Sequence, residues 1–270
     1  MCNVLEVSRT SFYQWRNASE CDEYSSLKED IASIYSESSG CYGFRRILEQ
    51  LRILGYNCGK KLVIKLMKIL NIQGFAKKKR WYHNATRQSE VYKENILNRD
   101  FSPTKPNEVW SSDITYVWTK QGWVFLAVIL DLYSRRVVSW SVAKTQDTEL
   151  VMSALLKAIN ARKPQKGLVI HTDQGSQYTS RIWANMIRTV GFVHSMSRKG
   201  QCWDNAPTES WNSTLKRESS IIRRVCNNIN DLKKELNMWI EGWYNPKRLH
   251  STLNYKSPEQ FEKAYFSTVR

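Results

Sequence analysis

From residue 109 onward the sequence passes through three aromatic and β-branched runs, 109–118, 123–132 and 136–142, separated by short polar turns. Such runs suit a pleated, half-buried surface, and their close spacing predicts a three-strand meander. An apolar-periodic helix follows over 148–161, then a strand over 168–172, a helix over 181–190 and a short strand over 192–196. A polar loop, 197–205, leads to a helix starting at Pro207, a residue suited to the first helical turn. Three strands, helix, strand, helix, strand, helix constrains this part of the chain to an α/β domain with a mixed five-stranded sheet.

That order gives three acids defined places. Asp113 lies within the first strand, in WSSDITYV. Asp173 ends the fourth, in LVIHTDQGSQYTS, and Glu209 sits in the first turn of the last helix, with 35 residues between the two. A helix crossing back over the sheet would bring Glu209 beside both aspartates. Phosphodiester cleavage and transfer want such a cluster, because two divalent ions about 4 Å apart can activate the attacking oxygen and stabilise the leaving one. Hard cations such as Mg²⁺ take oxygen ligands and keep several waters, so a few carboxylates suffice. Each acid alone has an ordinary reading: Asp113 caps a turn, Asp173 makes an Asx-turn with Gly175, and Glu209 favours the helix N-terminus. Asp131, Glu149 and Asp204 compete for membership: Glu149 as an ordinary helix opener, Asp131 as either a structural residue or a support of the site, and Asp204 as a support of the site.

Net charge gives a second line of argument. Lys and Arg number 41 against 25 Asp and Glu, a formal +16, which suggests a polyanionic partner. Residues 41–93 carry 13 basic and two acidic side chains, whereas residues 1–40 carry three and seven. Within 41–71, Phe44, Ile47, Leu48, Leu51 and Leu54, then Val63, Leu66, Met67 and Leu70, recur at helical spacing on either side of Gly55-Tyr56-Asn57. Arg45, Arg46, Lys60, Lys61, Lys65 and Lys68 decorate these helices, and Lys77, Lys78, Lys79 and Arg80 follow. A helix-turn-helix laid in a DNA groove accounts for the pattern; a small bundle with a solvated basic face is the competing reading. Residues 1–16 look like the second half of another helix-turn-helix. No apolar run is long enough to span a membrane, nothing points to export, and six cysteines without a C-x-x-C pair argue for reduced thiols in a cytoplasmic protein. With His83 alone among the first 170 residues, a zinc site is not expected.

The segments WSSDITYV, LDLYSRRVVSWS, HTDQGSQYTS, MSRKGQCWDNAPTESWNSTLKRE and YNPKRLHSTLNYKSPEQF resemble bacterial insertion-sequence transposases with a retroviral-integrase-type core, and YGFRRI resembles their helix-turn-helix region. The resemblance spans roughly residues 41–265. It implies an RNase H-like fold and a D-D-E triad matching Asp113, Asp173 and Glu209. It also implies two Mg²⁺ (or Mn²⁺) ions per site, double-stranded DNA as partner and a homo-oligomer assembled on it. Many such enzymes are completed by fusion to an upstream-frame helix-turn-helix protein, and residues 1–16 fit a second-frame product. The expected organisation is an N-terminal helical segment (1–40), a basic helix-turn-helix region (41–83), a linker (84–106), the catalytic core (107–222) and a helical extension (223–270).

Lys216, seven residues after Glu209, resembles the basic residue such enzymes set near the reacting DNA end; two helical turns put both on nearly one face. Asn205, Asn212 and Ser213 are weaker DNA-contact candidates, and Trp203 and Trp211 are placed either on bases or in the core. His171 and His250 read as supporting groups rather than general bases. The tail after residue 240 either packs under the core or contacts DNA or a second protomer. Two rival functions stand beside transposition: an RNase H-like nuclease that only hydrolyses, and a non-catalytic DNA-binding regulator built on residues 41–80.

Overall fold

The structure, a computed structural model, describes residues 8–17, 24–74, 93–219, 221 and 225–268. The chain divides into two compact units, Met1–Ala76 and Lys77–Arg270.

In the first unit, α1 (Arg9–Asn17) precedes α2 (Ser25–Glu37), α3 (Phe44–Ile53) and α4 (Lys60–Ile69). Leu27, Ile31 and Ile34 of α2, Ile47, Leu48 and Leu51 of α3, and Val63, Leu66 and Met67 of α4 are buried, each set at three- and four-residue spacing. Gly55, at φ +92°, makes the turn after α3 in a backbone region that glycine enters without steric cost. The expected boundary at residue 40 therefore falls inside a packed unit: α2 joins the two basic helices. The acidic charge of residues 1–40 hid this, because charge does not report on packing: Asp30 of α2 itself accepts from the Tyr56 hydroxyl in the turn between α3 and α4. Lys77, Lys78, Lys79 and Arg80, and residues 1–7 of the expected half-motif at 1–16, lie outside the described residues.

In the second unit, β1 (Val109–Thr119), β2 (Gly122–Asp131) and β3 (Val137–Ala143) form the antiparallel meander. Helix α5 (Thr148–Arg162) leads to β4 (Val169–Thr172), and α6 (Arg181–Val190) to β5 (Val193–Met196). Sheet order is β3-β2-β1-β4-β5, with β4 parallel to both β1 and β5. This is the RNase H-like arrangement. Alternation along β1 and β2 splits the core. One face packs Trp110, Ala127 and Ile129 with Leu150, Leu155 and Trp183 under α5 and α6. The other packs Val117, Val128 and Leu130 with α7 (Ala206–Glu218) and the helix Ile229–Trp239.

Two expected boundaries change. Residues 93–106, read as the end of a linker, pack on the sheet domain: Leu97 is buried, Met196 N–H donates to the Glu94 carbonyl, and Arg135 donates to the Phe101 carbonyl. The polar, Pro-containing texture concealed this because its contacts are made largely through backbone and polar side chains. The extension after residue 222 likewise belongs to the core, since Leu232, Leu236, Ile240 and Tyr244 complete the apolar cluster under α7.

Candidate active site

Asp113 sits within β1 opposite Val128, on the face that α7 covers. Its Oδ1 accepts the Ile114 backbone N–H at 2.8 Å, and its Oδ2 accepts from Asn212 Nδ2 at 2.7 Å. Burial raises its pKa well above the usual carboxylate range, and the charges of Asp173 and Glu209 raise it further; the Ile114 N–H and Lys216 oppose this. Asp173 follows β4 directly. Its Oδ1 accepts the Gly175 N–H at 3.0 Å, the Asx-turn expected at that position. Gly175 favours this closeness, because a Cβ there would stand 3.0 Å from the same oxygen and crowd it. Burial also raises the Asp173 pKa, against the pull of that N–H. Glu209 projects from the first turn of α7, and its pKa is raised by desolvation and by the charge of Asp173.

The start of α7 is tied to β1 two residues from Asp113. Ser111 Oγ donates to Asn205 Oδ1 at 2.6 Å and accepts from Thr208 Oγ1 at 2.6 Å. The loop before α7 is braced by Asp204, fully buried, which accepts from Arg99 and Asn95 of the 93–106 segment and from Arg198. The Arg198 hydrogen bonds chiefly hold its carboxyl well below the ordinary range. Asp204 therefore supports the site through the backbone it anchors. Asp131 accepts the Asn107 and Tyr133 backbone N–H groups at the end of β2, and burial raises its pKa to about 6. Glu149 lies in the first turn of α5, as expected.

Of the other candidates, Asn205 is buried with its amide oxygen holding Ser111, which makes it a positioning group rather than a surface one. Polar loop composition gave no sign of this, since the burial comes from the docking of α7. Trp211 is only 2 % exposed and stacks edge-on with Trp239 and Tyr244, so it belongs to the core; Trp203 is 69 % exposed. His171 is enclosed between the Ser195 and Ser197 hydroxyls, with its pKa lowered to about 4 by burial. His250 stands at the Arg248 guanidinium and the Tyr244 ring. Lys216 lies 4.4 Å from the centre of the Tyr116 ring. Arg45, Lys60, Lys61, Lys65 and Lys68 are exposed on α3 and α4, while Arg46 leans on the Tyr42 ring. Sequence reasoning missed the part of Asn212 at Asp113, although its position one turn after Glu209 carried the signal. It also missed an open cleft lined by Lys93, Asn98, Gln174, Ser197, Arg198 and Lys199, beside Asp173 in sequence.

Among the described residues, no group of three or more His, Cys, Asp or Glu side chains is placed so as to hold a metal ion. Asp113 and Asp173 are each tied to their own neighbours, Asp113 to the Ile114 N–H and Asn212 and Asp173 to the Gly175 N–H. That donor set fits a hydrated hard cation, which keeps several waters and takes only one or two carboxylates.

Comparison with known proteins agrees with this architecture. Integrase core domain models match residues 103–202 and 190–258, and an HTH-like domain model matches 23–80. The fold is also that of a simian T-cell lymphotropic virus intasome structure, at 18 % identity and TM-score 0.50 over 86 % of this chain and 74 % of that one. The class is thus an integrase-type core joined to a helix-turn-helix-like unit. The transposase for insertion sequence element IS904 of Lactococcus lactis subsp. lactis is 40 % identical over 88 % of this chain and 93 % of its own length. An insertion element IS600 protein of 31 kDa from Shigella sonnei is 36 % identical over 98 % of both. The chain belongs to the insertion-sequence transposases.

Proposed function

We propose that this chain cuts a phosphodiester at the ends of its element in a metal-dependent reaction and joins the freed 3′-OH to another strand. One observation carries the reading: β4, which Asp173 follows, pairs in parallel with β1, and the helix carrying Glu209 is docked on β1 by Asn212 to Asp113 and Thr208 to Ser111, so three acids come from neighbouring elements. Buried acids stand ionised together only beside added positive charge, and an all-oxygen donor set suits Mg²⁺ or Mn²⁺. Asp113 and Asp173 would hold one ion, and Asp113 and Glu209 a second. Bound there, the two ions would supply Lewis-acid stabilisation of the attacking and leaving oxygens.

The chain's own groups supply position. Asn212 and the Ile114 N–H fix the Asp113 carboxylate, the Asx-turn fixes Asp173, and the Ser111–Asn205–Thr208 contacts hold the start of α7 against β1. Lys216 would bind a backbone phosphate near the reacting end, since a side chain two turns beyond Glu209 reaches further along the strand. The cleft with Lys93, Arg198 and Lys199 would guide that strand. Arg45, Arg46, Lys60, Lys61, Lys65 and Lys68, with Lys77, Lys78, Lys79 and Arg80, would hold duplex DNA through its phosphates. The working form would be an oligomer on DNA in the bacterial cytoplasm, at the nucleoid, fused to or associated with an upstream-frame helix-turn-helix protein.

A strand-transfer assay tests this. Labelled duplex carrying the element end is incubated with protein, Mg²⁺ and target DNA. Joined products are expected. Cleavage without joining would favour a hydrolytic nuclease, and DNA binding without either would favour a regulator.

A further inference from the structure

The second unit exposes an aromatic patch that neither the carboxylate cluster nor the core uses. Tyr116, Trp118 and Trp123 are 54 %, 49 % and 52 % exposed at the end of the β1–β2 hairpin. They share one face: Trp118 and Trp123 are direct cross-strand partners, and Tyr116 is two residues back. Trp123 stands in the middle, with ring centres 5.1 Å from Tyr116 and 4.9 Å from Trp118, both edge-on. Further along this face Ile114 and Phe125 still pack against the core, and beyond them the aromatic face is open. Three large rings half in water are a costly surface, the kind that marks a binding site.

Charge identifies the occupant. The Lys216 ammonium lies 4.4 Å from the Tyr116 ring centre, and Lys120 is exposed at the hairpin turn. The patch lies on the sheet face opposite Asp113, but β1 beyond Ser112 has no β4 partner on that side, and Lys216, from the same helix as Glu209, meets the Tyr116 ring there, so the patch adjoins the acid cluster around the open edge of β1. Flat π-faces flanked by two cations match unpaired nucleobases on a phosphate backbone. A duplex presents its bases edge-on in the grooves and would leave those faces unused.

We propose that Tyr116, Trp118 and Trp123 form a stacking platform for unpaired bases of the DNA strand beside the catalytic carboxylates, with Lys216 at its inner end. The assignment rests on the transposase reading for its location next to the chemistry, but not for the binding itself. The platform would hold a frayed end open and keep the reacting strand from re-pairing.

Binding of the full chain to two fluorescent probes in EDTA tests it: a duplex with a single-stranded thymidine overhang, and the same duplex blunt-ended. The variants are Trp118→Ala, Trp123→Ala and the milder Trp123→Leu, which keeps apolar area without the π-face. Circular dichroism confirms that each is folded. Each alanine variant is expected to weaken overhang binding about tenfold or more, the loss of one stacked base, with blunt-duplex binding changed less than about twofold. Trp123→Leu should lose most of the same affinity. Equal losses on both probes, no loss on either, or full affinity in Trp123→Leu would overturn the proposal. So would an unchanged overhang affinity accompanied by conversion of an oligomer to monomer, which would make the patch a contact between copies of this chain. Because EDTA removes any need for catalysis, selective loss of overhang binding stands even if no preparation cleaves DNA. That combination would argue against catalysis by this chain alone and keep the platform.

Discussion

Arg248 and Glu218 offer a direct way to ask what holds the helix that carries Glu209. Glu218 is the last residue of α7, and Arg248 comes from the tail YNPKRLH. Nε and Nη2 of Arg248 donate to the two carboxylate oxygens of Glu218, both at 2.7 Å, with the side chains only 5 % and 7 % exposed. Replacing Arg248 by Met leaves a buried carboxylate without its fork of donors, which costs about 3–5 kcal/mol. Glu218→Leu removes the anionic partner of the buried guanidinium at similar cost. For a unit the size of Lys77–Arg270, each kcal/mol lowers Tm by about 2–4 °C, so either single variant should melt roughly 10 °C below wild type. The double variant removes both charges and keeps apolar volume, so it should cost no more than about 2 kcal/mol. Scanning calorimetry at neutral pH, repeated at high salt, measures all four proteins. Salt should change the differences little, because a buried pair is poorly screened. Single losses that simply add in the double variant would refute the coupling and leave the tail without this role in anchoring α7.

Three further outcomes follow from the same structure. Neutralising Lys60, Lys61, Lys65 and Lys68 together should weaken duplex binding and reduce the slope of log affinity against log salt by up to about four counterions' worth; an unchanged slope would favour a merely solvated basic face. Lys216→Ala should lower end-DNA affinity and strand joining in part, while leaving Mg²⁺ binding intact, and no change in either DNA readout would remove Lys216 from the interface. His171 is held neutral, its pKa lowered to about 4 against about 6.5 when unfolded, so the unfolded state binds the extra proton between those values. Its contribution is therefore full above about pH 6.5 and lost as pH falls towards 4. The stability gap between wild type and His171→Asn should shrink by about 3 kcal/mol from pH 7.5 to pH 4 in urea titrations, and a constant gap would contradict the buried neutral imidazole.

The succession of strands and helices was legible because it rests on local patterns. Alternation marks β1 to β3, a short apolar run ending in His171-Thr172-Asp173 marks β4, and Pro207 marks the start of α7. Helix α6 begins and ends where its periodicity said, with Ser180 as its N-cap and Gly191 beyond it at φ +75°. What was hidden depends on contacts distant in sequence. Residues 93–106 look like a linker until Asp204, more than 100 residues later, receives Asn95 and Arg99. Asn205 reads as a surface amide until the docking of α7 brings it onto Ser111. Helix α2 reads as separate from its basic neighbours because it falls on the acidic side of the charge boundary, whereas Leu27, Ile31 and Ile34 bury it against them. The aromatic hairpin end was legible as strand but not as surface, because nothing in its sequence shows where the helical cover stops.

The central claim is that Asp113, Asp173 and Glu209 form one metal-dependent phosphodiester-transfer centre. It is tested most directly by assaying Asp113→Asn, Asp173→Asn and Glu209→Gln beside wild type for cleavage and joining of element-end DNA in Mg²⁺. Calorimetry and DNA binding serve as controls. Each substitution keeps volume and removes one anionic ligand, and without metal it also relieves repulsion in a crowded acidic site, so the variants should be at least as stable as wild type. The account predicts folded, DNA-binding proteins with neither cleavage nor joining. Substantial Mg²⁺-dependent turnover in any one of the three would contradict it.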